Sequence, residues 1–313
     1  MSAPLVLIAF IALASTAGRT FLLRASWVQT SPRWGIWAWQ TLTVAIASAI
    51  VLVAVTVAIP FLPIRSYLAE IARITPLQLD AHYNTPGGPW VAAVALLAAA
   101  AMAGRVVALS AFNVIRAGRE RRSQLDKLAL VGERHPDGYV VIEHRIPLVY
   151  CLPGRGRRVV VTSGALSLLS AHELKLVLAH ERTHLRARHD LALSLTDALA
   201  RTFVGLRVFE DARAQITTLV EMQADDAARA MGDRRAMARA LVLLAVGGQG
   251  ATADVGGSAA ARVRRLSSSG LVLGRRRGAA VALASVLLLA APIGLALAPA
   301  IEAAAFDCCE AGL

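Results

Sequence analysis

The chain has 313 residues, of which 56% are hydrophobic and 5% aromatic, and it carries a formal net charge of +12. The hydrophobic share exceeds the roughly 45–50% of an average soluble domain, which argues against a water-soluble globule. Three cysteines are too few to predict a disulfide framework.

Four apolar stretches predict membrane-spanning helices. In chain order they are residues 2–18, 35–64, 89–115 and 278–301. A bilayer core needs about 20 apolar residues of helix, so the second and fourth stretches are long enough and the first is borderline. The third contains Arg105, whose guanidinium must extend toward an interface. We therefore expect three spans within residues 1–115 and a fourth at 278–301.

The positions of the arginines predict the orientation of these spans. Residues 1–18 lack the Lys or Arg of a cleavable signal, so the first stretch is expected to remain as an anchor. Basic clusters follow the third span and precede the fourth. This pattern predicts a multi-pass protein of the inner (plasma) membrane, with the N-terminus and a short tail at 302–313 outside and residues 116–277 in the cytoplasm.

The net positive charge favours a lipid partner over nucleic acid. Many of the arginines lie next to predicted spans, where each contributes about 1 kcal/mol of attraction to an anionic leaflet. Between residues 116 and 277 we find no nucleic-acid-binding motif with stacking aromatic residues. We therefore expect membrane lipid as a partner and no direct binding of nucleic acid.

Residues 116–245 have ordinary polarity and predict an α+β domain. Alternating apolar residues predict short strands at 138–144, 147–152 and 158–164. Ser170 and Glu173 then form the S-x-x-E pattern of a capped helix start. Further helices are expected at 191–209, 211–231 and 234–247. Residues 246–277 have the composition of a flexible basic linker.

The capped helix carries the sequence His180-Glu181-Arg182-Thr183-His184. Residues four apart lie on one helix face, so the two histidines can bind the same metal ion. Glu181, beside the first histidine, can reach a water molecule on that ion and act as the general base. The pattern predicts one catalytic Zn²⁺ per chain, bound by His180 and His184, with Glu181 as the general base.

A catalytic zinc site needs a third protein ligand, and Glu221 on a later helix is our prediction. Asp225 lies one turn further along the same face and is expected to hydrogen-bond a ligand from behind. Glu210 and Asp226 are the alternatives for the third ligand.

The stretch SGALSLLSAHELKLVLAHERTHLRARHD, followed by EMQAD, resembles membrane zinc metallopeptidases of the BlaR/MecR antirepressor type. It is similar, more distantly, to HtpX-like membrane proteases. The resemblance implies a gluzincin-like α+β peptidase domain within a four-helix transmembrane framework. It implies Glu181 as the base and His180, His184 and Glu221 as zinc ligands. It also implies regulatory cleavage of a cytoplasmic repressor, for which a winged-helix protein is the candidate, and self-cleavage as a second reaction.

The chain departs from that family in two ways. Where members often have an acid five residues after the second histidine, this chain has His189, followed by Asp190. The antibiotic sensors carry a large extracellular domain after the last span, whereas here residues 302–313 follow it. Two alternatives therefore stay open: a quality-control protease for membrane proteins, and a non-catalytic signal transducer with a structural zinc.

Overall fold

Long helices make up most of the chain in the computed structural model, which describes residues 3–72, 88–153, 158–231, 233–247 and 273–310 and the single residues 75, 77, 80, 83, 262 and 265. The described helices are α1 Ala3–Leu13, α2 Arg19–Arg24, α3 Ser26–Thr30, α4 Pro32–Ala58, α5 Ile64–Ala72, α6 Gly88–Val131, α7 Ser163–Leu168, α8 Ala171–Ala187, α9 His189–Thr202, α10 Arg207–Arg229, α11 Arg234–Gly247 and α12 Arg275–Glu310. A π-helical turn at Ala14–Gly18 joins α1 to α2, and a 3-10 turn at Ile59–Phe61 extends α4.

Four helical stretches within the described residues are long and apolar enough to cross a membrane. They are Ala3–Arg24, Pro32–Phe61, Gly88–Glu120 and Arg275–Glu302, and each contains most of one predicted apolar stretch. Membrane-spanning length thus agrees with the sequence prediction, although the helices extend further than expected.

Helices α6 and α12 continue past the domain boundaries that the sequence suggested. α6 runs without a break through residue 116 to Val131, and α12 runs into the predicted tail as far as Glu310. Most of the predicted linker at 246–277 lies outside the described residues. Apolar composition therefore locates the membrane stretch but not the end of the helix that contains it.

One four-stranded mixed sheet is found in the described part of the chain. Its strands are β1 Glu133–Arg134, β2 Tyr139–Ile142, β3 Val149–Leu152 and β4 Arg158–Thr162, in the order β1-β2-β4-β3. β2 and β4 are parallel, and the other two pairs are antiparallel. The three predicted strands are confirmed with slightly shorter bounds. β4 is paired on both sides, whereas β3 lies at an edge.

The start of α8 is set by the capping box that the sequence predicted. The Ser170 backbone amide donates to Glu173 Oε2 at 2.9 Å, and the Glu173 amide donates to Ser170 Oγ at 3.3 Å. Glu173 is only 2% exposed and also accepts a hydrogen bond from Arg239 of α11. The cap therefore ties the first turn of α8 to a neighbouring helix.

The predicted helix at 191–209 is wrong in its second half. α9 ends at Thr202, and Gly205 adopts φ +86°, a left-handed conformation that favours glycine. Phe203 and Phe209, on either side of this turn, are both buried and stack with ring centroids 4.8 Å apart. Because both aromatic residues face the core, the apolar pattern continues across the turn and conceals it.

The domain that follows α6 shares a core with α4, the second candidate span. Trp39 and Ile46 of α4 are fully buried in the same cluster as Phe209 and Ile216 of α10. Gly35 allows the backbone of Val28 to approach α4 closely, since a Cβ atom on residue 35 would lie 2.7 Å from the Val28 carbonyl oxygen. The domain and this helix therefore form one packed unit.

The capping box leads to a stability prediction for Glu173→Gln. The hydrogen bond from Arg239 and those from Ser170 lower the pKa of Glu173 to about 2, so its charge stabilises the fold above the ordinary carboxyl pKa. We expect a loss of about 1–2 kcal/mol at pH 7. The loss should shrink as the pH falls toward 2, where the wild-type carboxyl is protonated too.

Thermal unfolding of the detergent-solubilised protein at pH 7 and pH 3 tests this. Ser170→Ala is the control, since it removes a cap without a charge and its effect should change less with pH. An equal stability of Glu173→Gln and wild type at pH 7 would contradict the prediction.

Candidate metal centre

Helix α8 presents its two motif histidines on the side that faces α10. His180 is 5% exposed and His184 is half-buried, while Val177, Leu178 and Leu185 anchor the helix in the core. The Nε2 atoms of the two imidazoles lie 3.2 Å apart. The four-residue spacing thus brings both rings to one point, as predicted.

Glu221 of α10 completes a group of three possible metal ligands. Its Oε2 lies 3.6 Å from His180 Nε2, and its Oε1 lies 3.6 Å from His184 Nε2. In a tetrahedral zinc site with bonds near 2.0–2.1 Å, neighbouring ligand atoms are about 3.3 Å apart. The observed separations therefore fit a zinc-sized ion, and the described residues of this group are His180, His184 and Glu221.

The two alternative third ligands do not join this group. Glu210 is exposed at the start of α10. Asp226 forms an ion pair with Arg265, with Oδ1 and Nη1 2.9 Å apart. Because α10 turns about 100° per residue, Asp226 faces a different direction from Asp225 and Glu221.

Asp225 lies behind His180, where the sequence predicted a supporting residue. It is 1% exposed, and its Oδ1 is 3.0 Å from His180 Nδ1. Burial alone would lower the pKa of His180, but the contacts with Asp225 and Glu221 outweigh it and raise this pKa to about 9. A metal ion must therefore displace a proton from His180 at neutral pH.

Glu181, the predicted base, lies half-buried next to the sheet. Burial raises the pKa of Glu181, against the opposing effect of the nearby His180. Its carboxyl group and the thiol of Cys151, on edge strand β3, are close enough to shift each other's pKa. Burial and this neighbouring carboxylate raise the pKa of the Cys151 thiol to about 12. No sequence motif indicated this contact between Glu181 and Cys151.

His189 lies five residues after His184, at the position where the resemblance led us to expect an acid. It is 3% exposed, and its Nδ1 lies 2.9 Å from His184 Nδ1. Its Nε2 is 3.3 Å from Gln223 Oε1. Burial lowers the pKa of His184 to about 4 and also lowers that of His189, so both rings are neutral at pH 7. One neutral ring can then donate to the other, which holds His184 with Nε2 toward the metal position.

Arg262 is the member of the centre that the sequence analysis missed. Its Nε and Nη2 atoms donate to Asp225 at 2.8 and 2.7 Å, and its Nη1 is 3.2 Å from Glu221 Oε2. It is 9% exposed. In the sequence, nothing distinguishes Arg262 from the other arginines before the fourth span. Its role is seen only in the tertiary structure.

The cluster predicts that Glu221→Gln weakens zinc binding more than about 100-fold, beyond the 10–100-fold effect typical of residues behind the ligands. An amide oxygen lacks the charge that offsets the cation. Chelator competition with the purified protein measures this zinc affinity.

The zinc affinity of the wild-type protein should also rise with pH up to about 9, because His180 loses its proton over that range.

Glu210→Gln, an exposed charge on the same helix, is the matched control and should bind zinc as wild type does. Equal zinc affinity of Glu221→Gln and wild type would remove Glu221 from the metal site.

The buried pair of Asp225 and Arg262 predicts strong energetic coupling in the metal-free protein. Breaking such a pair from one side costs about 3–5 kcal/mol, since a charge is left without its partner. Arg262→Met and Asp225→Asn should each lower the unfolding midpoint, and the double variant should lose clearly less than the sum of the two.

Thermal unfolding of the four proteins gives this coupling. Arg265→Met serves as the comparison and should show no coupling to Asp225→Asn. Additive losses for Arg262→Met and Asp225→Asn would show that the pair does not act as a unit.

Comparisons with known proteins agree with this geometry over part of the chain. The model of Peptidase family M48 matches residues 116–218, about a third of the chain, and ends three residues before Glu221. Neither the curated proteins nor the solved structures gave a match. Residues 116–218 are therefore similar to Peptidase family M48, and this likeness, together with the ligand cluster and the apolar helices, indicates a membrane-associated metallopeptidase.

Proposed function

We propose that the protein is an integral membrane zinc endopeptidase of gluzincin type that cleaves a cytoplasmic protein for regulation. The observation that carries this proposal is the three-ligand cluster of His180, His184 and Glu221, with the carboxyl group of Glu181 next to it but outside the cluster. A purely structural zinc site usually has four protein ligands, whereas a catalytic one keeps a position for water.

Different residues around the cluster carry out different steps of the proposed peptide hydrolysis. A zinc ion, when bound, supplies Lewis acidity that makes water acidic near neutral pH. Glu181 takes a proton from the attacking water and later delivers it to the leaving amine. Its raised pKa, caused by burial, suits a group that must both accept and donate a proton. Asp225 and His189 hold the two imidazole ligands in orientation.

The sheet supports an extended substrate at β3. β4 is hydrogen-bonded to strands on both sides, so among the described strands next to Glu181 only β3 has an open edge. A peptide that adds to this edge would pass Cys151 and hence Glu181.

The proposed setting is the inner membrane, with four spans, both termini outside and the metal centre in the cytoplasm. The four apolar helices and the basic residues next to them support this arrangement. The resemblance to antirepressor peptidases supports a winged-helix repressor as substrate and self-cleavage as a second reaction.

The decisive variant is Glu181→Gln. We expect it to bind zinc as wild type does and to hydrolyse unfolded β-casein at least about 10²–10⁴-fold more slowly, since the general base is lost. Zinc content and casein fragments measured on the same purified sample separate the two effects. Arg182→Gln, next to it on the exposed side of α8, is the control.

Comparing the proteomes of cells with wild-type and Glu181→Gln protein then identifies the substrates. Accumulation of a cytoplasmic repressor supports the regulatory role, whereas accumulation of many membrane proteins supports quality control. Unchanged hydrolysis by Glu181→Gln would instead favour a non-catalytic transducer with a structural zinc.

A further inference from the structure

A cavity lies between α4 and the helices that carry the metal centre. Its volume is about 750 Å³, within the range of roughly 300–1,000 Å³ that small ligands occupy. Its walls include Arg33 and Trp37 of α4, Arg186 of α8 and Leu191 of α9. Neither the similarity to Peptidase family M48 nor the proposed peptide hydrolysis calls for a ligand in this cavity.

The charged side chains that line this cavity are positive. Its described lining residues include two arginines and no carboxylate. Arg186 donates to Thr183 Oγ1 at 3.3 Å, and the Arg33 guanidinium lies 5.7 Å from the Trp34 ring. Neither guanidinium forms an ion pair with a described carboxylate, in contrast to Arg19, which pairs with Asp211. The cavity therefore attracts an anion.

Besides the arginines, the wall has polar side chains (Gln40, Thr183, His189 and Gln223) and a larger apolar part. Trp37 is 55% exposed and Leu191 is 42% exposed, and Ile36 and Leu195 extend the same surface. Arg33 and Trp37 lie in the first turns of the candidate span Pro32–Phe61, where arginine and tryptophan side chains sit at the level of lipid headgroups. An occupant must therefore combine an anionic group with an apolar tail.

We propose that this cavity binds an anionic phospholipid, with its phosphate between Arg33 and Arg186 and its acyl chains along Trp37 and Leu191. The inner wall contains His189, which contacts His184 from the Nδ1 side. The metal position lies on the opposite, Nε2 side of that ring. The lipid site is thus separate from the metal position but only one side chain away from a metal ligand.

Lipid retention by the full-length protein in detergent tests the proposal. After delipidation, the protein is titrated with phosphatidylglycerol, with phosphatidylcholine and with inorganic phosphate, and bound lipid is counted by native mass spectrometry. Wild type should retain phosphatidylglycerol most strongly. The double variant Arg33→Gln/Arg186→Gln should bind it roughly 30-fold more weakly, given two arginines beside one anionic headgroup.

The matched control is Arg134→Gln/Arg207→Gln, which removes two exposed arginines outside the cavity and should retain phosphatidylglycerol as wild type does. Brominated phosphatidylglycerol should also quench tryptophan fluorescence in wild type, and less in Trp37→Phe. Equal retention by the two double variants, or displacement of the lipid by equimolar inorganic phosphate, would overturn the proposal.

Discussion

The packing of α8 against α10 is the constraint on which the metal centre depends. It places the acidic groups Glu221 and Asp225 next to two imidazoles in a largely buried space. An isolated charge in such a place would be costly by several kcal/mol, so each needs a partner. Asp225 has both His180 and Arg262, and Glu221 has Arg262 and the imidazoles. The same packing that creates the site therefore also requires the arginine.

The register of α8 decides which side chains reach that space. Its start is fixed by the Ser170–Glu173 capping box, and its end by Arg188, which adopts φ +52°. A shift of one residue would rotate the motif by about 100° and turn the histidines away from α10. Two local features at the ends of α8 thus determine the contact of Glu221 with His184 and His180, which lie 37 and 41 positions earlier in the chain.

The features that the sequence predicted are those encoded by neighbouring residues. The capping box, the His180–His184 spacing, the three strands and the Glu221–Asp225 turn each depend on residues within a few positions of one another. The missed features depend on distant parts of the chain. Arg262 and Cys151 acquire their roles only when Arg262 meets α10 and the sheet edge meets α8. The turn at Gly205 was hidden because the buried residues on both sides continue a helical pattern.

Helix α4 links the membrane region to only part of the metal centre. It packs directly on α10, which carries Glu221, and Gln40 donates to the Ala192 carbonyl and to Thr196 Oγ1 of α9 at 3.0 Å. The two histidines, in contrast, lie on α8, which packs mainly against α10, α11 and the sheet. A rigid displacement of α4 would therefore move Glu221 relative to the imidazole pair. Because ligand distances in zinc sites vary by only about 0.2 Å, such a displacement would act directly on metal binding.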